Sequence, residues 1–194
     1  FGTIITGNNL FDAWKEVLNY LYYYGCDNDV IRQFHSIHWS FDAQDTDSSL
    51  AKVREYVRQE DIQNMIGISS SALTDYTKSI MDQAEIPNTS YTYGQRLKKY
   101  ENNIIKTLKE QISSRHAYAT TVKYDTNDTQ PPCLVYLQFL FDSMNQKLNM
   151  YVVFRSHDIF KAALPNGYAM AHLLKHYASI LEVNVGQIEI TSIS

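Results

Sequence analysis

The residues with chemistry to offer cluster between Thr129 and Leu174. Gln130-Pro131-Pro132 runs directly into Cys133, so a cysteine follows a rigid loop at the start of an apolar run. A thiolate is a strong nucleophile and a thiol a weak one. Gln138 stands in the same run, five residues on. The polar stretch Asp142–Lys147 then predicts a hairpin, which returns the chain to Phe154-Arg155-Ser156-His157-Asp158. A guanidinium brought back beside Cys133 favours the thiolate. Ser156, Asp158 and Asn166 add a polar cluster among otherwise apolar strands.

Other patterns carry less. Gly2 and Gly7 have the spacing of a phosphate-binding loop, but Asn8-Asn9 stands where Lys-Ser/Thr is required. His172 and His176 are four apart, the spacing of a zinc pair on a helix. Leu173 replaces the Glu that metalloprotease chemistry needs, so they read as helix-surface histidines and no metal is implied. Two cysteines, Cys26 and Cys133, are too few for a disulfide scaffold or a cysteine-rich zinc site and suit a reducing, cytoplasmic setting.

The elements that must position these residues follow from periodicity. Leu10, Phe11, Trp14, Val17, Leu18 and Leu21 predict an amphipathic helix from Leu10 to Tyr24, capped by Asn9 and stopped at Gly25. Phe34–Phe41 reads as a strand and Ala43–Ser49 as a loop. Ser48 or Ser49 is placed to cap a helix through Arg58, and Ser71–Glu85 reads as a polar helix. Leu97, Tyr100, Ile104, Ile105, Leu108 and Ile112 share one face of a helix over Gln95–Gln111. Arg115–Tyr124, Cys133–Phe141, Leu148–Phe154 and Val185–Ile193 read as strands, and Pro165–Leu181 as a helix opening on a proline. The order shows no simple βαβ alternation, and the class is α+β with a mixed sheet.

The 194 residues suit a single domain over 1–194, and an apolar content of 44% is enough for a real core. A net charge of −4 argues against a general nucleic-acid binder and permits a local anion site. Gln138, Asp142 and Arg155 interrupt the longest apolar runs, so no membrane helix is expected.

The ordered series resembles the thymidylate synthase family, and is most similar to its short archaeal-type branch. Pro132-Cys133 with Gln138 resembles the family's nucleophile strand, and Arg155-Ser156-His157-Asp158 its Arg-Ser-x-Asp motif. Asn166, eight residues past Asp158, resembles the uracil-reading Asn. Ser114-Arg115 resembles the phosphate motif, and Tyr93-Gly94 the Tyr-Gly that precedes a helix. The strong resemblance spans residues 93–193. Three positions depart from it. His116 stands for the second phosphate Arg, Leu134 for the usual His after the cysteine, and no Glu-x-x-Trp marks the general base, although Glu55 lies in that region.

The resemblance implies a large twisted sheet with helices on one face and a back-to-back homodimer on the other. It implies that Cys133 attacks C6 of dUMP. C5 then takes a one-carbon unit from methylenetetrahydrofolate or a related pterin, giving dTMP. Arg155 and Ser156 would hold the phosphate together with Arg115 from a second subunit, and Gln138 would support the pyrimidine or the buried sheet. Asn166 would read the O4/N3 edge, Asp158 the pterin, and Tyr93 the proton at C5. The family continues past this chain's last residue into a His-x-Tyr, so the sequence is expected to be clipped at both ends. Two alternatives share the site: a pyrimidine nucleotide hydroxymethylase, and a non-catalytic nucleotide-binding relative.

Overall fold

The computed structural model describes residues 3–28, 31–33, 36–45, 48–49, 51–52, 55, 70–81, 91–123 and 131–193. The chain opens with β1 (Thr3–Gly7) and α1 (Leu10–Tyr24). A short hairpin of β2 (Cys26–Asn28) and β3 (Ile31–Gln33) leads to β4 (Ser36–Asp42). Further along the chain come the helices α2 (Ser70–Met81) and α3 (Tyr93–Glu110). The remainder is β5 (Tyr118–Thr120), β6 (Leu134–Asp142), β7 (Lys147–Phe154), α4 (Ala163–Leu181) and β8 (Asn184–Ile193).

Six strands make one mixed sheet in the order β1-β4-β8-β7-β6-β5. The β1/β4 and β7/β8 neighbours are parallel and the rest antiparallel. Parallel neighbours need a crossover, and α4 supplies it between β7 and β8. A βαβ unit therefore exists where the sequence order suggests no such alternation. β8 comes after every other strand in the chain yet sits near the middle of the sheet, between β4 and β7.

Period-two burial decides which face is which. Ile37, Trp39 and Phe41 of β4 point inward, as do Leu148, Met150, Val152 and Phe154 of β7. Helices α1 and α4 pack on this face, with α2 and α3 against α4. The apolar stripe of α1 is buried at Leu10, Phe11, Ala13, Trp14 and Val17. Trp14 Nε1 donates to the Ile159 carbonyl at 2.7 Å, which ties α1 to the turn entering α4. Burying an indole without a partner for its N–H is costly, so this bond fixes where that turn lies. The opposite face carries exposed Ile4 together with His38, Ser40, Tyr151 and Glu189, which border a shallow groove of about 470 Å³. No helix among the described residues is long and apolar enough to cross a membrane.

Several boundaries differ from expectation for local reasons. Asn9 caps α1 as expected, Oδ1 accepting from Asp12 N at 3.1 Å. Of the helix expected through Arg58, only residues 48, 49, 51, 52 and 55 are described, all helical. Ser48 and Ser49, either of which is expected to cap it, are themselves helical, and the Asp45 carboxylate accepts the Ser48 N–H at 3.3 Å. The polar helix expected over Ser71–Glu85 is α2, and residues 82–90 lie outside the described ones. The strand expected over Arg115–Tyr124 shrinks to three residues, Tyr118–Thr120. Ser114 N donates to the Gln111 carbonyl at 2.9 Å, so a turn occupies the expected strand's start. The last helix begins at Ala163, two residues before Pro165. Its first-turn N–H groups have no intrahelical carbonyl to meet, so a proline there loses nothing.

Candidate active site

Cys133 sits half-buried at the mouth of β6. Two things fix it there. The Arg155 backbone N–H donates to the Cys133 carbonyl at 2.9 Å, an extension of the β6/β7 ladder. The Arg155 guanidinium then grips the approach: Nε donates to Pro132 O at 2.9 Å and Nη2 to Pro131 O at 2.6 Å. Prolines donate nothing themselves, so their carbonyls are the handles an arginine can use. The hairpin does bring Arg155 back to the cysteine, and its guanidinium holds the backbone leading into that residue. A register shift between Leu134 and Tyr136 marks a bulge one step past the cysteine. Such a bulge bends a strand and re-aims the residues beside it. Leu134, where the resemblance expects His, is fully buried.

Tyr93 reaches the same place from the helix layer. Thr92 caps α3 with a reciprocal capping box, Thr92 Oγ1 accepting from Gln95 N and Gln95 Oε1 from Thr92 N. This puts Tyr93 in the first turn, and its hydroxyl accepts the Leu134 N–H at 3.3 Å. Gly94 beside it has no room for a side chain: an added Cβ would lie 2.3 Å from the Ser79 carbonyl oxygen and 2.6 Å from that of Ile80. The end of α2 thus presses directly on the start of α3. That close approach brings Tyr76 of α2 to the cysteine. Burial first, then the nearby Tyr93 and Cys133, push the Tyr76 phenol well above its ordinary range. Burial likewise raises Tyr93, with Cys133 and Tyr91 adding to it against the backbone N–H bonds it accepts. Both phenols are protonated and neutral at physiological pH.

Asn166 lies in the first turn of α4, buried, and its side chain is held at both ends. The Tyr76 hydroxyl donates to Oδ1 in a short hydrogen bond. Nδ2 meets His157 Nε2 at 3.1 Å. His157 Nδ1 meets Ser192 Oγ of β8 at 2.8 Å, and Ser192 Oγ also accepts from Trp39 Nε1 at 3.1 Å. The imidazole lies flat on Phe154, ring centroids 4.0 Å apart at 12°, with Trp39 stacked more loosely at 6.3 Å. Removing it from water pushes its pKa down to about 3, so it is neutral.

The expected site residues therefore fall into three groups. Cys133, Tyr93 and Asn166 come together, joined through Tyr76. Arg155 and Ser156 stand at the rim, both exposed, where β7 ends. Asp158 is exposed nearby, and its Oδ1 accepts from Phe160 N and Lys161 N at 3.1 and 2.9 Å. Its carbonyl accepts from Ala162 and Ala163, so Asp158 shapes the turn that places Asn166. Gln138 and Arg115 form the third group. Gln138 alternates with the inward Leu137 and Phe139, and its Nε2 donates to the Arg115 carbonyl at 2.6 Å. These two lie with Tyr118 and Tyr151, its register partners on either side. They are not brought to Cys133 within one chain. Glu55 is exposed. His172 is half-buried, and the His176 side chain stays 37% exposed at the helix surface. His176 Nε2 meets Glu101 Oε1 of α3 at 3.1 Å and His172 packs on Tyr168.

Tyr76 and His157 escaped the sequence reading. Nothing in a polar amphipathic helix singles out one tyrosine. His157 stands inside Arg155–Asp158 at the position the Arg-Ser-x-Asp pattern leaves open. Its signal is the alternation of β7, which carries Phe154 inward and leaves a histidine three residues on beside a buried ring.

The thymidylate synthase family profile matches residues 12–193. A Methanosarcina mazei protein provisionally named thymidylate synthase is 28% identical over 210 aligned positions, covering all of this chain and 88% of its own length. A Methanothermobacter marburgensis protein with the same provisional name is 37% identical over 111 positions, about half of each chain. With a match across nearly the whole chain, and with Cys133 and Arg155 at the ends of β6 and β7 and Asn166 in the first turn of α4, the chain belongs to the thymidylate synthase family.

Proposed function

We propose that this protein transfers a one-carbon unit to C5 of dUMP, giving dTMP, through a covalent adduct of Cys133 at C6. The observation that carries this is the cluster of a half-buried cysteine, two neutral phenols and a doubly anchored Asn amide. Addition of the Cys133 thiolate to C6 moves the ring electrons onto O4 and makes C5 nucleophilic. An amide N–H of Asn166 at O4 stabilises that charge, and its oxygen meets N3–H. Tyr93, neutral and beside the cysteine backbone, is placed to relay the C5 proton. Arg155 and Ser156 at the rim supply donors for a phosphate. Methylenetetrahydrofolate, or a related reduced pterin, supplies the one-carbon unit and the hydride when bound. Asp158 Oδ2 makes no hydrogen bond to the described residues, so it suits an N–H of that pterin.

Arg115 is exposed and its carbonyl is held by the outward-facing Gln138, which supports a homodimer packed through the outer sheet face. There Arg115 would complete the phosphate site of the second subunit. The test is incubation with dUMP and methylenetetrahydrofolate while following dihydrofolate absorbance. Turnover, loss of it in Cys133→Ser, and a 5-fluoro-dUMP adduct at Cys133 by mass are expected. A product one oxygen heavier than dTMP would instead mark a hydroxymethylase, and binding without any adduct would mark a non-catalytic relative. Sedimentation showing only monomer would break the sharing of Arg115.

A further inference from the structure

Asn166 has four hydrogen-bonding positions, two acceptor sites on Oδ1 and two N–H on Nδ2. The protein uses one of each. Tyr76 occupies one Oδ1 site and His157 one N–H. One acceptor and one donor remain, and their sides are set by the two anchors. The uracil edge offers an acceptor at O4 and a donor at N3, and the cytosine edge offers the reverse. A free Asn reads either edge by turning its amide over. Turning it here would set the amide N–H group against the Tyr76 hydroxyl proton and the amide oxygen against a bare imidazole nitrogen.

We infer that His157 and Tyr76 are positioning residues that hold the Asn166 amide in one orientation, and that this clamp sets the preference for uracil over cytosine. The selectivity half of this rests on the proposed function; the clamp itself does not. Phenol hydroxyls donate more readily than they accept, which sets Oδ1 toward Tyr76 and Nδ2 toward His157. His157 Nε2 must then be the acceptor, so the ring proton sits on Nδ1 and donates to Ser192 Oγ. Stacking on Phe154 keeps the ring from swinging away. The chain Tyr76–Asn166–His157–Ser192 draws on α2, α4, the β7–α4 loop and β8, so four separate elements fix one amide.

Two measurements test this on the whole chain. The first needs no nucleotide. Nitrogen-15 spectra of the free protein should show His157 as the neutral Nδ1–H tautomer, and an Nε2–H tautomer or an imidazolium near pH 7 overturns the clamp. The second compares dUMP with dCMP binding by calorimetry. His157→Phe keeps the stacking but lacks the acceptor, and should cut the dUMP preference about 10- to 100-fold. His157→Gln offers an amide oxygen in place of Nε2 and should recover most of it. Tyr76→Phe should erode the preference from the other end. A His157→Phe protein that weakens both nucleotides equally, or keeps the wild-type ratio, overturns the positioning role. A wild-type protein that binds neither nucleotide sinks the proposed function and the selectivity with it, while the imidazole tautomer still decides whether the clamp exists.

Discussion

Two neighbouring residues of β8 do the same thing on opposite faces of the sheet. Ser192 points inward and meets His157 Nδ1 at 2.8 Å; Thr191 points outward and meets His38 Nδ1 at 2.8 Å. Each hydroxyl also serves a second ring residue, Trp39 for Ser192 and Tyr151 for Thr191. The bonds are alike in length and type, and the surroundings differ. His157 lies against the Phe154 and Trp39 rings and is only 8% exposed, whereas His38 lines the groove on the outer face. The lesson is that a hydrogen bond takes its value from what replaces it. Thr191 is itself buried, but its partners His38 and Tyr151 are half-buried and can turn to water, whereas the partners of Ser192, Trp39 and His157, are buried and cannot.

The pair can be pulled apart experimentally, beginning with the largest effect. Ser192→Ala strands the Trp39 and His157 donors in the core and should cost about 2–4 kcal/mol, read from the urea midpoint. A loss no bigger than that of Thr191→Val would show the two faces to be equivalent. Acid comes next. His157 is neutral in the fold down to about pH 3, while its unfolded value is 6.5. Between these values the unfolded chain binds the extra proton, so stability falls as pH drops, by up to about 1.4 kcal/mol per unit. His157→Phe should flatten that part of the pH–stability curve relative to wild type. Smallest is Thr191→Val, expected to cost under about 1 kcal/mol in the monomer. If the outer face is a dimer interface, its cost should grow with protein concentration, and unfolding of Thr191→Val at two concentrations reads this directly.

What the sequence could reveal follows the same division. The hairpin of β6 and β7, the helix α1 and the placement of Cys133 against Arg155 are legible, because each rests on residues near in sequence. Alternation in Leu148–Phe154 and the four-residue recurrence from Leu10 state their own geometry. Asn166 was legible through its spacing from Asp158, which the Asp158 turn makes physical. The clamp on Asn166 was not. Tyr76 is 90 residues away from it in sequence, and only the contact of α2 with the start of α3, made possible by Gly94, brings it in. Gln138 shows the limit of spacing: its nearness to Cys133 along β6 says nothing about face, and alternation past the bulge turns it outward, onto the Arg115 carbonyl.

The place of β8 has a consequence for how the chain is made. Among the described strands, β1 and β4 touch β5, β6 and β7 only through it. During synthesis the early half can pair β1 with β4, and β6 with β7 can close as a hairpin, but neither has a neighbour on its inner edge. Both edges stay open until residues 184–193 leave the ribosome and slot between them. The nascent protein therefore carries one open edge once β4 is made and a second once β7 ends at Phe154, a state in which chaperone binding or pairing with another nascent copy competes with folding.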